Sequence, residues 1–252
     1  MITERRHQLI LQQLKSSHVL TIQDLVRLTN ASVSTIRRDL VHLEKKQLLI
    51  RIHGGCKTTN SSLSEEPKVA QRQRLSLPQK QLIAQYAVTL VQDNEVIFLD
   101  SGTTVQKMIP ELTHLKHLLV VTNSVDNGSL LADFQIRTIV LGGSLRALTK
   151  ATVGANVLTY LNNCHLDRAF MGTNGFDSVH GYTTPDPDES AVKSLVIRQA
   201  DQAYILADSS KYQQTRFSKF AELADADLIT DHLTTAAYQQ LRHYTKIMEV
   251  KK

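Results

Sequence analysis

From residue 78 onward the chain alternates short apolar runs with amphipathic stretches, and most runs end in small polar residues or glycine. The runs at 95–99, 118–121, 137–141, 168–171, 203–206, 228–230 and 247–250 are near-continuously apolar, as strands buried on both faces must be. Between them, 79–91, 125–132, 153–161, 188–200 and 235–243 carry helical spacing. This alternation predicts a Rossmann-like, mainly parallel α/β sheet covered on both sides. Such sheets bind ligands beyond the carboxyl ends of their strands. The candidate binding edge is therefore the set of loops DSGTT (100–104), TNS (122–124), GG (142–143), GTNG (172–175) and DSSK (208–211). SGTT, read as opening a helix, suits a phosphate, because backbone N–H groups and two hydroxyls converge there. No GxGxxG follows the first run, so the dinucleotide fingerprint is absent.

The first sixty residues read differently. Residues 3–16 form a predicted helix with Ile10, Leu11 and Leu14 inward, and 18–20 is a short connection. Thr21 lies three before Asp24, a variant of the capping box, and opens a second helix. Ile22, Leu25, Val26 and Leu28 give that helix its buried stripe. Asn30 suits a left-handed turn. The stretch 32–46 then places Val33, Ile36, Leu40 and Leu43 on one helical face, with Ser32 or Ser34 as its cap. Ser34, Thr35, Arg37 and Arg38 lead the other face, and His42 follows. A helix that reads a DNA major groove needs small polar and arginine side chains in front and an anchored apolar back. Ile50 and Ile52 alternate with Arg51 and His53, and Gly54-Gly55 supplies a hairpin turn. This is the wing of a winged helix, with Arg51, His53 and Lys57 placed to meet phosphate.

Charge divides the chain in the same way. Residues 1–60 hold 10 Lys and Arg against 4 Asp and Glu, a net of +6, while the remainder nets −1. A polyanion partner is implied for the first part alone. Two cysteines without CxxC spacing exclude a disulfide framework and a thiolate zinc site. No apolar run approaches membrane-spanning length, so a cytoplasmic protein is expected. His180, Asp186, Asp188 and Glu189 are metal-ligating types, but prolines and turn residues account for their loop, and no metal is expected. The polar stretch 58–77, with Pro67, reads as a linker in which 69–74 is suited to a short helix. It separates a DNA-binding domain, 1–57, from an effector domain, 78–252.

The motifs STIRRDL (34–40) and RIHGG (51–55) resemble the DNA-binding domain of the DeoR family of bacterial sugar-metabolism regulators. DSGTT, TNS, VLGG (140–143), MGTNGFDSVHGYTTPDPDESAVK (171–193) and ADSSK (207–211) resemble that family's effector domain. Its fold is shared with ribose-5-phosphate isomerase, glucosamine-6-phosphate deaminase and CoA-transferases. The resemblance implies a repressor of a sugar operon that binds operator DNA and is relieved by a phosphorylated sugar. Carried over by position, Ser101, Gly102, Thr103 and Thr104 would hold the phosphate, helped by Lys80. Asp100, Asn123, Gly143, Arg146, Thr173, Asn174, Glu189 and Lys193 would surround the sugar, with Asp208 and Lys211 nearby. The GTNG loop points to the fructose and lactose–galactose branches. Fructose 1-phosphate is the first candidate effector and tagatose 6-phosphate the second, with no further cofactor. One winged helix makes few DNA contacts, so a homodimer or homotetramer is expected. The alternative reading is an isomerase- or deaminase-like enzyme with an appended DNA-binding domain, in which Asp100 and Glu189 form an acid–base pair.

Overall fold

The computed structural model describes residues 2–17, 19–46, 48–52, 54–57 and 69–250. The chain divides into two compact units, Met1–Ser64 and Glu65–Lys252. His53, residues 58–68 of the expected linker and the side chain of Lys57 lie outside the described residues.

The first unit runs α1 (Thr3–Ser17), β1 (Val19–Thr21), α2 (Ile22–Thr29), α3 (Val33–Lys45), β2 (Ile50–Ile52) and β3 (Gly55–Lys57). Residues 19–20 of the expected connection lie instead in β1, which pairs antiparallel with β3, so the wing has three strands in the order β1-β3-β2, and His18 lies outside the described residues. The local signals act where the sequence places them. Thr21 and Asp24 form a capping box at α2, Asn30 closes that helix at φ 52°, and Ser32 caps α3 through the Thr35 N–H. A Cβ on Gly55 would lie 2.1 Å from the Leu20 carbonyl oxygen, so β1 and β3 require glycine there. Ile10, Leu14, Leu25, Ile36, Leu40 and Leu43 close the core. Two expected core residues do not join it. Leu28, near the end of α2, and Val33, the first residue of α3, are 37% and 45% exposed. Both sit beside the turn between the helices, where the apolar stripe runs past the end of the core.

The second unit opens with α4 (Val69–Arg74) and α5 (Leu77–Val88), then β4 (Val96–Leu99), a 3-10 helix (Val105–His114) and β5 (Leu119–Thr122). It continues through α6 (Val125–Asp133), β6 (Thr138–Val140), a small hairpin of β7 (Ser144–Leu145) and β8 (Thr152–Val153), and α7 (Ala155–Asn162). Then come β9 (Leu166–Gly172), β10 (Gly175–Asp177), β11 (Gly181–Thr184), α8 (Pro187–Gln199) and β12 (Ala200–Leu206). The end is β13 (Ser218–Ala221), β14 (Asp227–Thr230), α9 (Thr235–Leu241) and β15 (Ile247–Glu249).

Seven strands form one parallel sheet in the order β15-β14-β12-β9-β4-β5-β6. Its strands alternate between two cores, as period-two side chains must. Phe98, Ala169, Met171, Ile205 and Leu228 pack with Val157, Val192 and Leu241 on one face. Ile97, Leu99, Phe170, Leu206 and Ile229 pack with Ile83, Ala87 and Met108 on the other. From β4 the chain winds outward through β5 and β6, then returns to lay β9 on the other side of β4. The strand order reverses between β4 and β9, which is where a doubly wound sheet opens a binding crevice.

Two local expectations change. The helix after SGTT is a 3-10 helix with Pro110 inside it, a residue without the N–H that an α-helix interior uses. The 171–193 region, read as loop before its helix, builds β10 and β11, which join β13 in an antiparallel sheet. Gly175 is required there, since a Cβ would meet the Gln214 carbonyl oxygen at 2.0 Å.

Candidate functional site

Each unit carries a candidate site. In the first, α3 turns Ser34, Arg37, Arg38 and His42 to solvent and half-buries Thr35. Among the described residues neither Arg37 nor Arg38 has an acidic partner, so their charge is available to a polyanion. Asp39, the next residue, points the other way and is buried. Its carboxylate accepts from Arg6 Nε (2.5 Å) and Nη2 (3.0 Å) and lies 2.9 Å from His7 Nε2. Burial opposes its charge, but the bonds from Arg6 and His7 outweigh that and hold the carboxyl below its ordinary range. The His7 ring also stacks on His42, 5.3 Å between centroids. Thus α1 fixes both the roll and the height of the exposed arginines.

Arg51, expected to meet phosphate from the wing, is also bonded to α3. Its backbone N–H and Nε donate to the two oxygens of Glu44 on α3, at 3.0 and 2.6 Å. These bonds lower the Glu44 carboxyl and tie the wing to the recognition helix. Among the described residues, the Nη groups of Arg51 have no hydrogen-bond partner.

In the second unit a cavity of about 300 Å³ opens at the carboxyl ends of β4, β9 and β12. It gathers Lys80, Asp100 and the Ser101–Thr104 turn with Thr173, Asn174, Glu189, Lys193 and Lys211. Asp100 is its fixed point. One carboxylate oxygen accepts from the Gly102 N–H, and the other from the Gly172 N–H (3.0 Å) and from Lys193 Nζ. Lys193 also donates to the Gly172 carbonyl (2.9 Å), so this buried pair bridges the β4–β9 crevice. A buried pair needs further hydrogen bonds to offset its desolvation, and the Gly102 and Gly172 backbone supplies them here. Gly102 is needed at the turn, because a Cβ would fall 2.8 Å from Asp100 Oδ1.

Lys80 is also buried. Its Nζ donates to Thr103 Oγ1 (3.0 Å) and to the Arg72 carbonyl. Burial pushes its pKa down to about 8, helped by Lys211, Arg72 and Lys107 and opposed by Asp208. Glu189 and Lys193, four apart on α8, are not a simple surface pair. Glu189 accepts from Arg146 Nη1 (2.9 Å) and Thr149 Oγ1 (2.5 Å), while Lys193 serves Asp100. Asp186 caps α8 and receives Arg146 Nη2 at 3.0 Å. The Thr173 hydroxyl is committed to the Gly175 and Thr183 carbonyls.

Three expected ligand residues fall outside this lining. Asn123 faces a small adjoining cavity shared with Ser101, Glu189 and Lys193, where its Oδ1 is buried without a hydrogen bond. Arg146 acts from behind Glu189. Gly143 packs under the β7–β8 hairpin, where a Cβ would approach the Val153 carbonyl oxygen to 2.6 Å and Val157 to 2.8 Å, so its need is steric. Asp208 and Ser210 of the expected 208–211 loop line the cavity, and so do Arg72 and Ser76, which the sequence did not single out. Arg72 and Ser76 lie in the stretch assigned to the linker, and only the amphipathic start of 69–74 hinted that it folds.

Comparison with known protein families matches each of the two units. The DeoR-like helix-turn-helix domain matches residues 6–62, and the DeoR C terminal sensor domain matches 76–232. FruR of Bacillus subtilis, named as an uncharacterized HTH-type transcriptional regulator, is 39% identical over the full length of both chains. The HTH-type transcriptional repressor GlcR of the same organism is 34% identical, covering 96% of this chain and 93% of its own. A lactose phosphotransferase system repressor of Staphylococcus epidermidis is 31% identical over 89% of this chain and 90% of its own. Ribose 5 phosphate isomerase A of Neisseria gonorrhoeae covers 56% of this chain and 55% of its own at a TM-score of 0.40 and 22% identity, too loose to bear on function. No helix among the described residues is long and apolar enough to cross a membrane. With a recognition helix at its front and full-length relatives named as regulators, this chain belongs to the DeoR family and is a DNA-binding transcriptional regulator, not an enzyme.

Proposed function

We propose that this regulator represses a sugar uptake or catabolic operon in the cytoplasm, and that a sugar phosphate bound in the β4–β9 cavity relieves the repression. The observation that carries the reading is Lys80, a buried cation bonded to Thr103 in a turn rich in backbone N–H groups and hydroxyls. Beside it, Asp100, Asn174, Glu189 and Lys193 offer the mixed donors and acceptors that sugar hydroxyls use. The GTNG loop at 172–175, by its family resemblance, makes fructose 1-phosphate the first candidate effector and tagatose 6-phosphate the second. A homodimer or homotetramer would supply the contacts that one winged helix lacks. Induction requires the ligand to bind the DNA-free state more tightly than the operator-bound state.

A thermal-shift panel of sugar phosphates tests this directly, since a ligand that binds only the folded state raises its melting temperature. The effector should give the largest shift and release the protein from the promoter DNA of its operon in a gel shift. Equal affinity for all DNA sequences and no response to any sugar phosphate would sink the reading.

A further inference from the structure

Arg72 lines the cavity but lies four residues before the sensor-domain match begins. It belongs to α4, the first described helix after the segment that joins the two units in sequence. None of the residues of α4 is buried. Two hydrogen bonds tie it to the phosphate-binding turn and its continuation. Lys80 Nζ, already on Thr103, donates to the Arg72 carbonyl, and Gln73 Nε2 donates to Gln106 Oε1 at 3.0 Å. At the corner between α4 and α5, Ser76 adopts φ 50°, a conformation uncommon outside glycine. Val69, Ala70 and Gln73 of α4 also line a groove of about 460 Å³ together with Asp126, Ala147, Leu148 and Lys150. The helix is therefore a strap along the cavity.

Charge gives the strap a reason to respond. Arg72, Lys80 and Lys211 line one cavity, and Lys107 stands near enough to act on Lys80. These cations repel one another, the Asp208 carboxylate offsets part of that repulsion on Lys80, and a bound anion would offset more. An arginine adds what a lysine cannot, a planar pair of donors that matches two phosphate oxygens.

We propose that Arg72 is a ligand-contact residue whose guanidinium grips the effector's phosphate together with Lys80, so that occupancy pins α4 against the cavity. The inference rests on the sugar-phosphate reading of that cavity. It assigns a phosphate contact to a segment outside the matched sensor domain, on the stretch of chain that follows the DNA-binding unit.

The test uses the full-length protein with fructose 1-phosphate, tagatose 6-phosphate and inorganic phosphate as probes. Calorimetry compares wild type, Arg72→Gln, Arg72→Lys and Thr103→Ala/Thr104→Ala, and hydrogen exchange follows the amides of 69–76. Arg72→Gln should weaken sugar-phosphate binding tenfold or more, with partial recovery in Arg72→Lys. Its affinity for promoter DNA without ligand should stay as in wild type. Ligand should slow exchange across 69–76 in wild type and not in Arg72→Gln. If Arg72→Gln binds as wild type does while the threonine double variant does not, the role of Arg72 is overturned and the phosphate site stands. If the wild type binds none of the three probes, or neither variant changes binding, the phosphate reading falls and the role of Arg72 falls with it.

Discussion

Asp39, whose two preceding neighbours are solvent-facing arginines, is buried against Arg6 of α1 with Nε 2.5 Å from Oδ2. The pair, joined by His7, makes the presentation of Arg37 and Arg38 depend on a helix that carries none of the reading residues. Removing one member of a buried pair typically costs about 3–5 kcal/mol. Asp39→Ala should therefore unfold or strongly loosen the first unit, while the second keeps its own melting transition in calorimetry. The folded Asp39 carboxyl lies below its unfolded value, so its contribution is present above the ordinary carboxylate range and is lost as pH falls through the folded pKa. The stability gap between wild type and Asp39→Ala should be full at pH 7 and shrink below about pH 4.

Arg37→Ala and Arg38→Ala should leave stability unchanged, because both side chains are exposed without acidic partners among the described residues. Whichever arginine reads a base should lose about 1–3 kcal/mol of operator affinity. One that contacts phosphate should instead weaken binding to all DNA sequences and lower the salt dependence by about one unit of slope. Wild-type affinity in both variants would mean that α3 is not the reading helix.

Glu44→Ala separates the wing from α3. Its carboxylate holds both the backbone and the side chain of Arg51. Operator affinity should fall in this variant although Glu44 itself is acidic and its removal adds net positive charge. A gain in affinity would show that Glu44 only screens the wing.

Thr103→Ala/Thr104→Ala should bind operator normally and respond to the sugar phosphate only at higher concentration. Full response at the same concentration would place the phosphate elsewhere.

Lys80 gives the cavity a pH signature. Its folded pKa is about 8 against an ordinary 10.5, so the folded state holds fewer protons than the unfolded one between those values, and stability should rise with pH there. A phosphate beside Lys80 favours its charged form, so ligand binding should take up a proton near pH 8.5 and weaken above it. Calorimetry in buffers of different ionisation enthalpy measures that uptake, which should vanish in Lys80→Met.

Periodicity and turn chemistry determined much of this protein. Apolar runs separated by helical stretches dictate a parallel sheet, because strands covered on both faces have no polar side to show. The Thr21–Asp24 box, the Asn30 turn and the Ser32 cap are local bonds, so four or five residues suffice to specify them. Loops of small polar residues at successive strand ends likewise mark one edge of the sheet without any knowledge of packing. The tertiary structure alone decided partners. Glu189 turns to Arg146 rather than Lys193, since the β7–β8 hairpin brings Arg146 and Thr149 to the first turn of α8. Asp39 turns inward because Arg6 waits there, 33 residues away. Gly143 answers to a clash with Val153, and Arg72 reaches the cavity only because Lys80 and Gln106 bond to α4. Local rules fix backbone shape within a turn or two, whereas a buried charge takes whichever opposite charge the completed fold carries to it.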